Sequence, residues 1–170
     1  MMTSCLDGCV DYTLIIENKV NEDISRYNLP GSSHSVLLQN IANSCVVLKG
    51  NASTIRLVNI YNSHIDIGGI KYNVTIDNAM NSNINVACQH IRLKNGIGTT
   101  MTLHITGSCE LETCRDVKIG KYSHFYSNVK YDLYMIGMNP DDNYINRITD
   151  FNWARSDIPS PNWSYINLPR

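Results

Sequence analysis

Three stretches decide how this chain folds: Asn40-Ile41-Ala42-Asn43-Ser44-Cys45-Val46-Val47-Leu48, Asn59-Ile60-Tyr61-Asn62-Ser63-His64-Ile65-Asp66-Ile67 and Asn78-Ala79-Met80-Asn81-Ser82-Asn83-Ile84-Asn85-Val86. Each begins 19 residues after the one before it (40, 59, 78), and the Asn, Asn and Ser positions coincide in all three. The apolar positions keep the same step. Val46, Ile65, Ile84 and Leu103 form one column, followed two residues on by Leu48, Ile67, Val86 and Ile105. A second column runs Val36, Ile55, Val74, accompanied by Leu38, Leu57 and Ile76.

Each unit therefore holds two short apolar-polar-apolar segments separated by polar turn residues. Side chains alternate across a strand, so this is strand patterning, and no stretch within the unit has helical period. One such coil cannot bury its apolar face alone. Stacking successive coils makes a continuous core, which predicts a parallel β-helix with equivalent residues about 4.8 Å apart. The Asn columns become ladders at the corners, where Asn tolerates left-handed backbone and bonds locally.

The register also assigns faces. Between Ile76 and Leu93 the step shortens to 17, so the second column continues through Ile91 and Leu93, then Leu111 after a further 20. The outward positions between those apolar pairs are Leu37, Arg56, Thr75 and Arg92, with Glu112 extending them. Arg92 and Glu112 are thus expected side by side on adjacent rungs of one exposed face. The other outward series reads Val47, Asp66, Asn85 and His104.

Around this coil the chain divides into a lead-in (1–33), the parallel β-helix (34–120) and a C-terminal cap (121–170). The lead-in holds the apolar run Tyr12-Thr13-Leu14-Ile15-Ile16 and the turn Pro30-Gly31-Ser32-Ser33. The repeat ends near Val117-Lys118-Ile119-Gly120, and an open coil end needs covering. In the cap, Tyr131–Ile136 reads as a short helix or strand and Asp141-Asp142-Asn143 as a helix start. Phe151, Trp153 and Trp163 supply apolar anchors in a draped segment containing Pro159 and Pro161.

A chain of 170 residues suits one domain with a real core. Fourteen Lys+Arg against fifteen Asp+Glu give a net charge of -1, which advertises no nucleic-acid face. No apolar run reaches the ~20 residues needed to span a bilayer. Met1-Met2-Thr3-Ser4 carries neither a signal-peptide pattern nor a myristoylation glycine, so the expected location is the cytoplasm. On that reading the sequons at Asn51, Asn73 and Asn162 are accidental. The six cysteines show no C-x-x-C pair, so free thiols are expected, several of them in the core. Cys5 and Cys9 could accept palmitate. His34, His64, His104 and His124 make no metal motif, and no metal is expected.

Several of these residues resemble the C-terminal domain of tubulin-binding cofactor C and the related retinitis pigmentosa cofactor-C-like protein. The similarity runs from about Val36 to Ile166. It rests on Gly50-Asn51 with Thr54-Ile55-Arg56-Leu57, Val86-Ala87-Cys88-Gln89 with Ile91-Arg92, and Glu112. At the far end it rests on Asp150-Phe151-Asn152-Trp153 and Ser160-Pro161-Asn162-Trp163-Ser164.

The resemblance implies a right-handed parallel β-helix and a GTPase activator. Arg92 would be its arginine finger, Gln89 its neighbour in the site, and Glu112 an acid engaging the GTPase. Arg56 and Thr75, on the same outward column, join Glu112 as partner-facing residues. The implied partners are β-tubulin with the other tubulin cofactors, or an Arf-like small GTPase. GTP and magnesium would be bound by that partner, so no cofactor of its own is expected. The family's cofactor C members carry an N-terminal helical region for which the lead-in is too short. Tyr122-Ser123-His124-Phe125 stands where the family usually has a tryptophan nearby, so the cap should pack differently.

The competing expectation is a non-catalytic binding module on the same coil, as in the actin-binding domain of cyclase-associated proteins, which needs no finger. A polysaccharide-cleaving β-helix lacks the paired carboxylates such chemistry requires, since Asp66 stands alone in its column.

Overall fold

A computed structural model describes residues 10–124 and 126–166. Cys5, Cys9 and Phe125, discussed above, lie outside the described residues. The chain winds through β1 (Tyr12–Val20), β2 (Asp23–Ile24), β3 (Gly31–Ala42), β4 (Cys45–Tyr61), β5 (His64–Met80), β6 (Asn83–Ile97), β7 (Thr100–Glu112) and β8 (Val117–Lys121). It then forms α1 (Val129–Met135), β9 (Ile148–Asp150) and β10 (Trp163–Tyr165). Every pairing between these strands is parallel, and successive long strands are neighbours, which makes a parallel β-helix.

The corners explain why this sequence coils. Asn40, Asn59 and Asn78 sit in left-handed backbone at φ 56, 56 and 65°, as do Asn43, Asn62 and Asn81 at 51, 47 and 49°. Asparagine adopts that region at low cost because its short amide bonds locally. The amides also ladder: Asn78 donates to Asn59 (2.9 Å), Asn59 to Asn40 (3.0 Å) and Asn40 to Asn18 (3.1 Å). One residue past the second corner, the hydroxyls of Ser44, Ser63 and Ser82 donate to carbonyls two residues back. Thr99 and Cys114 take the same post on later rungs. Backbone groups that a sharp corner would orphan are thereby satisfied.

The interior is filled by the predicted columns. Val46, Ile65 and Ile84 are stacked and fully buried, as are Leu57, Ile76 and Leu93. Burial stabilises each such side chain by about 1.5–3 kcal/mol.

The coil begins earlier than position 34. β1 pairs with β3 and places Ile16 beside Leu38, while Asn18 and Asn21, at φ 57°, head the two Asn columns. Tyr12–Val20 is thus a rung rather than a lead-in. It escapes the repeat because it stands 22 residues before the next rung, not 19.

The 17-residue step also persists further than the sequence reading has it. Ile84 faces Met101, and Val86 faces Leu103. Thr102, not His104, therefore continues the Asp66–Asn85 series. Asn85 and His104 are buried beneath the chain that follows β8.

That chain does more than drape. Among the alternatives for Tyr131–Ile136 it forms helix, with Leu133, Ile136 and Met138 packed on Ala87. No helix starts at Asp141-Asp142-Asn143: the Asp142 N–H donates to Asn139 O in a turn, and 142–143 have no regular structure. β9 then adds to β7, and β10 adds to β8, so the returning chain supplies the last strands on two stretches of the coil. Trp163 packs against the core, but Phe151 is half-exposed and anchors nothing inside. Among the described residues no helix is long and apolar enough to cross a membrane.

Candidate functional site

The central ribbon of one face is set by register alone. Leu37, Arg56, Thr75, Arg92, Glu110 and Thr149 succeed one another across β3, β4, β5, β6, β7 and β9. On β6, Ile91 and Leu93 point inward and are buried, which drives Arg92 outward. Arg56, Thr75 and Arg92 are exposed along this strip, as the spacing predicts. Gln89 is exposed at the corner just before them, where the register between β6 and β7 shifts between Cys88 and His90.

Glu112 reaches Arg92, though not by the expected route. The residue beside Arg92 on the next rung is Glu110, and Glu112 stands beside Lys94. The step from Leu93 to Leu111 is 18, so Leu111 continues Leu93 rather than Ile91. The Arg92 fork nevertheless leans diagonally and donates from Nη2 to Glu112 Oε2 at 2.5 Å. The two side chains are 48% and 30% exposed, so the pair lies at the surface with one edge sheltered. One contact uses one of five guanidinium donors, and the remainder of the fork is available to an anion.

Two neighbours of Arg92 were not found from sequence. Glu110 was missed through the misplaced step at Leu111, and the 18-residue spacing from Leu93 would have located it. Phe151 lies with its ring centroid 5.6 Å from Arg92 Cζ, in reach of a cation–π contact. It arrives from the returning chain, whose path no periodicity marks. Phe151 is fixed by its backbone N–H, which donates to Leu111 O at 2.9 Å.

Behind Phe151, Asp150 Oδ2 accepts from Ser160 Oγ (2.6 Å) and Asn162 Nδ2 (2.9 Å), and its Oδ1 accepts from the Asn152 N–H (3.0 Å). Partial burial pushes the Asp150 carboxyl up. The three hydrogen bonds outweigh that and hold it below the usual carboxylate range.

On the other side of Arg92 a depression of about 380 Å³ is bounded by Asn73, Thr75, His90, Ser108 and Glu110. His90 Nδ1 accepts from the Ser108 N–H at 3.2 Å, which fixes it as a wall of this depression. Cys88 and Cys109 are core thiols. Burial raises both, Cys109 to about 12, so neither is a nucleophile at neutral pH. Among the described residues no His, Cys, Asp and Glu side chains cluster as a metal site.

Fold and site together define a parallel β-helix domain that presents a guanidinium, steadied by a carboxylate, on an otherwise polar strand face. The family model described as "Tubulin binding cofactor C" matches residues 33–151, and the chain belongs to that family. It is 32% identical over 81 residues to tubulin-specific chaperone C of Homo sapiens, covering 48% of this chain and 23% of the human protein. The Bos taurus protein of the same name is 31% identical over 81 residues, covering 48% of this chain and 24% of its own length. These matches span about a quarter of the curated relatives. Tubulin binding cofactor C from Leishmania major shares the fold, with a TM-score of 0.57 at 16% identity over 89% of this chain and 87% of that one.

Proposed function

We propose that this chain acts in tubulin folding as a GTPase activator, supplying Arg92 in trans as an arginine finger to β-tubulin held with the other tubulin cofactors. An Arf-like small GTPase is the alternative partner for the same chemistry. The observation that carries this reading is the outward placement of Arg92 on a strand whose flanking residues are buried, with Glu112 bonded to its fork.

Hydrolysis of GTP spreads negative charge over the γ-phosphoryl oxygens, and a trans-acting arginine that meets this charge is worth about 10³–10⁵ in rate. Arginine suits the task because its charge is permanent and its planar fork matches phosphate oxygens. Held by Glu112 and Phe151 on a rigid rung, the fork loses less freedom on docking than one on a mobile loop. In this reading Gln89 hydrogen-bonds the partner or its nucleotide. Arg56, Thr75 and Glu112 face the partner's surface, while GTP and magnesium stay in the partner.

Single-turnover GTP hydrolysis tests the reading, with tubulin plus its other cofactors and, separately, with an Arf-like GTPase. Native protein should accelerate the reaction, and Arg92→Ala should lose about three orders of magnitude or more of that acceleration while still binding. Equal rates for the two proteins would leave a binding module without a finger.

A further inference from the structure

The geometry points to Ser160 as a phosphorylation site whose occupation releases the returning chain from the coil beside Arg92. Ser160 is followed by Pro161, the +1 proline that proline-directed serine/threonine kinases read, and residues 154–159 before it are exposed. Pro161 biases Ser160 itself toward extended backbone, the form in which a kinase cleft takes its substrate, between bends at 156–158 and a turn at 161–162. In the reaction Ser160 Oγ gives its proton to the kinase's catalytic aspartate and bonds to the γ-phosphorus of ATP, the bond from that phosphorus to the bridging oxygen breaks, and ADP leaves.

The hydroxyl so modified is already at work. It donates to Asp150 Oδ2 at 2.6 Å and accepts the Asn162 N–H at 3.1 Å. A phosphoryl group removes the donated proton and sets a charge of about -2 against the Asp150 carboxylate, where only a hydroxyl fits. Asp150 ends β9, and its contacts to Ser160 and Asn162 tie β9 to the chain entering β10. Breaking that tie frees Thr149 from Glu110 and Phe151 from Leu111, which removes one wall of the Arg92 site.

The test uses the full chain with ATP, magnesium and a proline-directed kinase. One phosphate should map to Ser160 by mass spectrometry and be absent from Ser160→Ala. Amide exchange at Phe151 and Ile166, whose N–H groups bond to Leu111 and Ile119, should then rise roughly ten- to hundredfold. The emission of Trp153 and Trp163, the two tryptophans of the chain, should shift to the red.

Ser160→Asp should show the same release in weaker form, and Asp150→Asn added to it should restore docking by removing the repulsion. No phosphate at Ser160 overturns the site, and phosphate there with unchanged exchange overturns the release. Any loss of stimulated GTP hydrolysis rests on the function proposed above, whereas the exchange and emission readouts stand even if Arg92→Ala proves as active as native protein.

Discussion

Arg92 and Glu112 are joined across two rungs although they are not register partners. Arg92 stands beside Glu110, yet its fork reaches past that residue to Glu112 at 2.5 Å. A diagonal pair of this kind fixes the direction of the guanidinium as well as its charge, and direction is what an incoming anion meets.

Glu112→Gln therefore separates orientation from stability. An exposed ion pair contributes about 0–1 kcal/mol, so the denaturation midpoint should hardly move. If Arg92 acts as the finger proposed above, the stimulated rate should fall about tenfold or more, since a small misplacement of a catalytic group can cost up to ~100-fold. Glu110→Gln should cost less, because Arg92 is not bonded to it. Chemical denaturation and single-turnover rates on both variants check this; an unchanged rate for Glu112→Gln would remove its positioning role.

The Asn ladder makes a second, purely structural prediction. Asn59 holds φ 56° and belongs to two inter-rung amide bonds. Asn59→Ala loses both bonds and leaves in left-handed backbone a residue without the local amide bonding that lets asparagine adopt it, for a cost of about 2–4 kcal/mol. Asn59→Gly loses the bonds but relieves the backbone, and should recover about 1–2 kcal/mol of that. Urea midpoints decide it. Equal losses would mean that the corner geometry demands nothing of its residue.

Those same asparagines show why the coil was legible and where it stopped being so. Asn40, Asn59 and Asn78 repeat because identical corners need identical backbone, and the inward columns follow from the same step. Asn18 does the same work, but an extra three residues in its rung broke the period and hid the first turn. The outward place of Arg92 needed only its two apolar neighbours. Glu110 was legible in the 18-residue spacing of Leu93 and Leu111 once the register slip between Cys88 and His90 is allowed for. Phe151 was not, because it depends on a chain return made by contacts far apart in sequence.

Acid should weaken the fold in two stages. Burial is the main cause holding His104 and His124 below the ordinary histidine range. The unfolded chain then binds protons near pH 6.5 that the folded chain refuses, so stability is full above that value and falls as pH drops toward the folded values. Each group contributes at most about 1.4 kcal/mol per pH unit there. Asp150, also held low, adds its loss only in the carboxylate range, below about pH 4. Urea midpoints from pH 8 to 3 should show both steps, and His104→Gln with His124→Gln should flatten the first. A single step near pH 4 in native protein would contradict the burial of those rings.

Gly68 and Gly69 are adjacent, yet alanine should act very differently at each. A Cβ on Gly68 would collide with Gly50 O and lie 3.1 Å from Gly50 N, backbone atoms of the neighbouring rung that cannot turn aside. A Cβ on Gly69 would meet Ile136 Cδ1 at 2.6 Å, Asn51 Oδ1 at 3.0 Å and Leu133 Cδ2 at 3.3 Å, all ends of side chains, the two apolar ones on or next to α1. Gly69→Ala can therefore be absorbed by rotation or a small shift of the helix, at a cost of about 1 kcal/mol. Gly68→Ala must push neighbouring rungs apart and should cost about 3 kcal/mol or more. Arg92 lies beyond the next corner, on the stretch where Thr75 follows Gly69, so under the proposed function Gly69→Ala should keep its full stimulated rate. Thermal unfolding and the hydrolysis assay on the two variants distinguish the cases: similar losses of stability would mean that the rungs are not packed backbone to backbone at Gly50 and Gly68.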